Sequence, residues 1–107
     1  LPRHVQIIRE IDKRYLEAYL ELGNVYLITE EYSKAKENYI KALDLDPAYP
    51  EVNFALGEID MRAGNYGDAI SSYEKAIKLD SVNLKYYYQL GMAYNGIKDS
   101  VNTIKYR

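Results

Sequence analysis

Apolar residues recur at helical spacing along nearly the whole chain, and no stretch alternates with a two-residue period long enough to predict a strand. Val5, Ile8 and Ile11, with Ile7 alongside, predict a helix over residues 3–12, which Pro2 would open. A second helix is expected over 16–29 and a third over 33–45, with Glu31 or Ser33 near its cap. Pro47 cannot continue a helix interior and holds Asp46 away from helical angles. Pro50 then opens a helix to about residue 63, and Gly64-Asn65 reads as a stop and turn. Helices over 66–79 and 84–96 follow, and Asp99 or Ser100 would cap a short last one. The pattern therefore predicts six helices and a short seventh, joined by linkers of three to five residues that permit only antiparallel neighbours.

A period runs through these elements. Gly23, Gly57 and Gly91 stand 34 residues apart, each directly after a leucine. A glycine inside a helix costs roughly 1 kcal/mol against alanine, so three on one beat need a shared cause, and close approach of another backbone is the usual one. Ala35 recurs as Ala69, Tyr39 as Tyr73, Ala42 as Ala76 and Tyr32 as Tyr66. Leu45-Asp46-Pro47 recurs as Leu79-Asp80-Ser81, and two periods separate Tyr19 from Tyr87 and Tyr26 from Tyr94. Repeats of this length mean a stack of small, similar units.

The pattern resembles the tetratricopeptide repeat, a helix-turn-helix unit of about 34 residues. The first copy, 16–49, carries Tyr19, Leu22, Gly23, Tyr26, Tyr32, Ala35, Tyr39, Ala42 and Pro47. The second, 50–83, departs at Asn53, Asp60 and Ser81, where an aromatic, a tyrosine and a proline are expected. The third, 84–107, opens with Tyr87, Leu90, Gly91 and Tyr94, then carries Thr103 in place of alanine. Residues 2–13 fall where the second helix of a preceding unit would lie, or form a capping helix. The chain begins on Leu1 and its third repeat is incomplete, so it reads as a piece of a longer protein. The resemblance implies one all-α domain over 1–107, tandem helix-turn-helix repeats winding into a right-handed superhelical solenoid with a concave inner face. That face would be lined by Glu17, Leu20, Glu21, Asn24, Leu27 and Ile28 in the first unit. In the second it would be lined by Glu51, Phe54, Ala55, Glu58, Met61 and Arg62, and in the third by Lys85, Tyr88, Gln89, Met92 and Asn95. Leu20, Phe54 and Tyr88 share one register position and form an expected apolar row that faces a guest, edged by acid on the first two units. Some family members grip a carboxylate terminus with lysines and asparagines on these helices. Here only Asn24 and Lys85 fit that clamp, while Leu20, Ala55 and Gln89 stand at its other positions.

Composition narrows function mainly by what is missing. The formal net charge is -2 and the cations are interspersed with glutamates, so no field draws nucleic acid or an anionic membrane. No apolar run approaches the roughly 20 residues that span a bilayer. No targeting segment is visible, which makes the cytoplasm the default compartment. There is no cysteine, hence neither disulfide nor thiolate metal site, and the single histidine, His4, has no nucleophile or second base in register with it. The 13 tyrosines read as helix-packing aromatics whose hydroxyls reach solvent or a carbonyl. Asp60 is the odd residue, a carboxylate where Tyr26 and Tyr94 would pack inside, and it needs a partner hydroxyl, Arg62 or a tilt to solvent. These readings point to a non-enzymatic scaffold, without cofactor or metal, that holds a peptide or amphipathic helix of another protein. The alternative is a stretch of a longer solenoid that self-associates through exposed repeat ends.

Overall fold

The computed structural model describes residues 2–105, with side chains described for residues 2–99. The described residues form five α-helices and no strand: α1 (Arg3–Ile28), α2 (Tyr32–Leu45), α3 (Pro50–Arg62), α4 (Tyr66–Leu79) and α5 (Leu84–Lys105). They divide into two compact units, residues 1–48 and 49–107. In the first, α1 packs on α2; in the second, α4 packs on both α3 and α5. No helix among the described residues is long and apolar enough to cross a membrane.

Two of the expected helix boundaries are absent. The helices foreseen over 3–12 and 16–29 are one 26-residue helix, α1. The break between α2 and α3 shows why. There Asp46 is extended at φ −145°, Pro47 follows, and Pro50 begins α3. One period earlier the prolines are replaced by Lys13 and Leu16, which have amide hydrogens and no ring to clash, so the helix runs through. At the other end, α5 continues through 97–99, where a turn into the short seventh helix was expected.

The two turns that do form are built alike. Glu30 and Gly64, one period apart, both sit in the left-handed region, at φ 63° and 77°. The Glu31 N–H donates to the Tyr26 carbonyl and the Asn65 N–H to the Asp60 carbonyl, each at 2.8 Å, closing the same 6→1 helix stop. The position one period on is Lys98, and it stays helical. An L-residue in left-handed geometry costs about 1–2 kcal/mol, which a well-packed returning helix must offset. Glu30 is offset by α2, whose Ala35, Tyr39 and Ala42 are buried. The residues in register after Lys98 put Thr103 and Arg107 where Ala69 and Tyr73 stand, so the same return is unsupported.

Each pair locks by a tyrosine ring laid on a glycine. A Cβ on Gly23 would lie 2.6 Å from Cε1 of Tyr39, and one on Gly57 would lie 2.5 Å from Cε1 of Tyr73. The close approach behind the glycine period is therefore an aromatic edge rather than a bare backbone. Around Gly91 nothing lies within 4 Å of a Cβ, because no helix among the described residues folds back over that side of α5. Gly96, expected only as a helix end, instead receives the ring of Tyr66 from α4, with Cε1 2.6 Å from an added Cβ. The core of the second unit gathers Phe54, Ala69, Tyr73, Ala76, Tyr86 and Ala93, with Met61, Ile70, Ile77 and Leu90 against it.

Candidate functional site

In the first unit, α1 carries Glu17 and Glu21 exposed and Leu20 and Leu27 half-buried. Asn24, one turn beyond Leu20, is already engaged: its Oδ1 accepts the Tyr39 hydroxyl at 2.5 Å. Lys34 and Lys41 of α2 lie 5.6 Å from the ring centres of Tyr26 and Tyr19, covering two signature aromatics of α1. At the turn, Thr29 donates to Glu31 at 2.8 Å and Lys34 reaches the same carboxylate at 3.3 Å. Those two bonds, Thr29 first, hold the Glu31 carboxyl below the usual carboxylate range.

In the second unit the expected site residues separate into three groups. Tyr88 and Met92, one turn apart on α5, are exposed, Tyr88 at 67%. Glu51 is exposed as well. Phe54 departs from the expectation that it faces a guest: it is 5% exposed, stacked on Tyr86 at 4.9 Å and tilted against Tyr73 at 5.4 Å. A phenylalanine at this register has two aromatic neighbours to bury against, where Leu20 has a shorter side chain and remains half-buried. Lys85 closes over the same ring, its Nζ 4.7 Å from the centroid. The third group, Glu58 and Met61, meets Arg62, Tyr73 and Gln89 around an open recess of about 220 Å³.

Tyr73 is the residue that sequence reasoning missed here. Its ring is fully buried and its hydroxyl has no hydrogen-bond partner. Burial, then the charges of Glu58 and Asp60, push its pKa far above the ordinary value. The signal was present in the repeat frame, because the position that offers Asn24 to Tyr39 offers Glu58 to Tyr73. Glu58 is half-buried, and loss of hydration raises its pKa against the opposing pull of Lys85 and Arg62. Asp60 is buried, as its register implied.

A different surface lies along α5. Tyr87 donates its hydroxyl to the Ser81 carbonyl at 2.8 Å and Tyr94 donates to Glu74 at 3.2 Å, which pins both rings. They remain 44% and 52% exposed on either side of Gly91, with Leu84 exposed beyond them. The incomplete third repeat leads the sequence to expect the apolar side of this helix, with Val101 and Ile104, to stay partly exposed; the side chains of those two lie outside the described residues. Among the described residues, no group of histidine, cysteine, aspartate and glutamate could hold a metal ion.

The TPR repeat profile matches residues 23–62 and 57–96, most of the chain. The chain belongs to the tetratricopeptide repeat (TPR) family. No curated protein matches it significantly. Among solved structures it is similar to a MamA protein, with 28% identity over 85% of this chain and a TM-score of 0.76, and it spans 50% of that protein's length. The first TPR of Spaghetti (RPAP3), solved with an HSP90 peptide, shares the fold at 24% identity and TM-score 0.76, covering 80% of this chain and 68% of that one. An O-GlcNAc transferase from Thermobaculum terrenum also shares it, at 23% identity and TM-score 0.74, over 81% of this chain but 18% of the enzyme. TPR units thus occur both in peptide complexes and as parts of enzymes. An all-α helical repeat of this family is a protein-interaction scaffold in general.

Proposed function

We propose that this TPR segment is a non-enzymatic module that holds a peptide or amphipathic helix of another protein, on the α1 face in the first unit and on the α3 and α5 faces in the second. The observation that carries the reading is the exposed pair Tyr88 and Met92 on α5, apolar groups one turn apart that no element of their own unit covers. Leu20 and Leu27 on α1 and Met61 on α3 add apolar contact, while Glu17, Glu21, Glu51 and Glu58 supply acid. Apolar anchors carry most of the energy of such contacts, and rim charges steer and select. The guest therefore bears an apolar stripe flanked by lysine or arginine. Phe54 acts from beneath as support for Tyr86, Lys85 covers the Phe54 ring, and Asn24 serves Tyr39 as much as any guest.

The test is affinity of peptides selected from a random library on the full chain. Replacing Tyr88 and Met92 together by alanine should weaken binding by about 2 kcal/mol or more. Replacing Glu17 and Glu51 by lysine should cost less, act on the association rate and fade at high salt. Undiminished binding by the Tyr88/Met92 variant rejects the reading. The open side of α5 at Tyr87, Gly91 and Tyr94 favours one second reading, in which a further helical element of a longer TPR array or of another copy covers it. Association of the chain that persists at low concentration, and is abolished by Gly91→Leu, would support that reading.

A further inference from the structure

The recess bounded by Glu58, Met61, Arg62, Tyr73 and Gln89 lies wholly within the second unit, between the helices that α4 holds together. Its volume of about 220 Å³ exceeds the roughly 30 Å³ share of one water several-fold. Tyr73 lines it, and the Tyr73 hydroxyl is buried without a partner. A buried polar group left unsatisfied costs about 1–3 kcal/mol, and native proteins leave few. In the first unit the same hydroxyl is satisfied by Asn24. The second unit has replaced that amide by a carboxylate that makes no bond to the tyrosine, and has opened a space beside it. We propose that this recess seats the primary-amide side chain of an asparagine or glutamine from the bound peptide, which stands in for the amide that Asn24 supplies in the first unit. The inference rests on the proposed peptide-binding face, of which Glu58 and Met61 are part.

The chemistry selects the amide over the alternatives. The Tyr73 proton needs an acceptor, and the Glu58 carboxylate needs a donor. A primary amide presents both from one carbon, and Gln89 offers a further complementary amide at the rim. A guest carboxylate would accept from Tyr73 but face Glu58 at close range. A guest ammonium or guanidinium would suit Glu58, but it would leave the tyrosine proton without an acceptor and would meet the positive charges of Arg62 and Lys85, both of which act on Glu58. The apolar Met61 wall suits the methylene stem of glutamine.

Two measurements on the full chain test this. In the first, isotope-labelled protein is titrated with N-acetylglutamine methylamide and with the lysine and glutamate analogues. The Tyr73 ring and the Gln89 side-chain amide should shift with the glutamine probe and saturate. Tyr73→Phe should bind it about three- to tenfold more weakly, the worth of one hydrogen bond. That variant keeps the ring on Gly57 and removes only a hydroxyl without a partner, and circular dichroism verifies its fold. No shift at these groups, equal response to all three probes, or an unchanged response in Tyr73→Phe overturns the proposal and leaves the recess to water. In the second, random-library peptides are selected on the wild type and on Tyr73→Phe. A shared asparagine or glutamine that is lost in the Tyr73→Phe selection supports the seat. Peptides recovered without that residue overturn the seat while the peptide-binding reading stands. Recovery of no peptide, with the glutamine probe still bound, overturns the peptide-binding reading and not the seat.

Discussion

Tyr39 and Tyr73 stand one repeat apart, lie fully buried, and press the same ring edge onto the same glycine. The Tyr39 hydroxyl donates a hydrogen bond to Asn24 Oδ1, and the Tyr73 hydroxyl has no acceptor. The first unit thus spends its tyrosine on its own stability, while the second keeps a polar group in reserve next to a half-buried carboxylate. The packing of a repeat and its hydrogen bonding are therefore set at different positions: glycine and tyrosine hold the pair of helices, and the residue after the glycine decides whether the tyrosine hydroxyl finds a partner. The register position of Leu20 and Phe54 separates the units in the opposite sense, since the second unit has turned a half-exposed aliphatic contact into a buried aromatic stack.

The largest effect should come from that stack. Phe54→Ala should lose about 3–5 kcal/mol of unfolding free energy, as buried aromatic truncations do. Leu20→Ala should lose less, and Tyr88→Ala should stay within about 0.5 kcal/mol as a surface change. Urea melts of the three variants rank them, and a mild Phe54→Ala would mean that the stack is not a core contact. Next come the glycines. A methyl on Gly23 or Gly57 meets a tyrosine ring that is buried and cannot swing away, so each alanine variant should lose about 1–3 kcal/mol. Gly91→Ala meets nothing and should gain about 0.5–1 kcal/mol from the better helix former. If all three shift thermal melts alike, the seating of the rings is not what the glycines are for.

Removing the hydroxyls sharpens the comparison further. Tyr39→Phe should cost about 0.5–1.5 kcal/mol, the net worth of a hydrogen bond, while Tyr73→Phe should be neutral or slightly stabilising. The reverse order would contradict the difference in partners. The smallest effects are those of pH. The folded pKa of Tyr73 is raised, so its neutral form contributes stability that is complete below the ordinary phenol value of about 10 and is lost as the pH rises through the folded value. The Glu31 carboxyl is lowered by Thr29 and Lys34, so its contribution is present above the ordinary carboxylate range and is lost as the pH falls through its folded value. Melts followed from neutral to alkaline pH should therefore fall less steeply for Tyr73→Phe than for the wild type. A Glu31→Gln variant should be the less acid-sensitive of its pair.

The repeat, its period and most of its helices could be read directly, because proline and glycine act on their own backbone. Pro47, Pro50 and Gly64 break or turn the chain wherever it packs. The missing boundary at Lys13 and Leu16 follows from the same local chemistry, whereas Lys98 carries no more constraint than Glu30, which does turn, so there the packed return decides. The positions that the repeat frame puts in register, Ala35, Tyr39, Ala42 and their copies, are all buried, although the glycines expected to meet a backbone are seats of tyrosine rings. The candidate site was far less readable. Leu20, Phe54 and Tyr88 are equivalent in the sequence, yet one is half-buried, one is enclosed and one is in solvent. Burial depends on which other element arrives, and no residue carries that information alone. The same holds for Gly91, which follows a leucine in register with Gly23 and is left bare because no helix among the described residues returns over it. It holds again for Tyr73, whose meaning lies in the partner it lacks. Local backbone preference thus determined the helices and turns from the sequence alone, whereas the tertiary structure decided which faces are covered and which hydrogen bonds are closed, because both depend on neighbours far away along the chain.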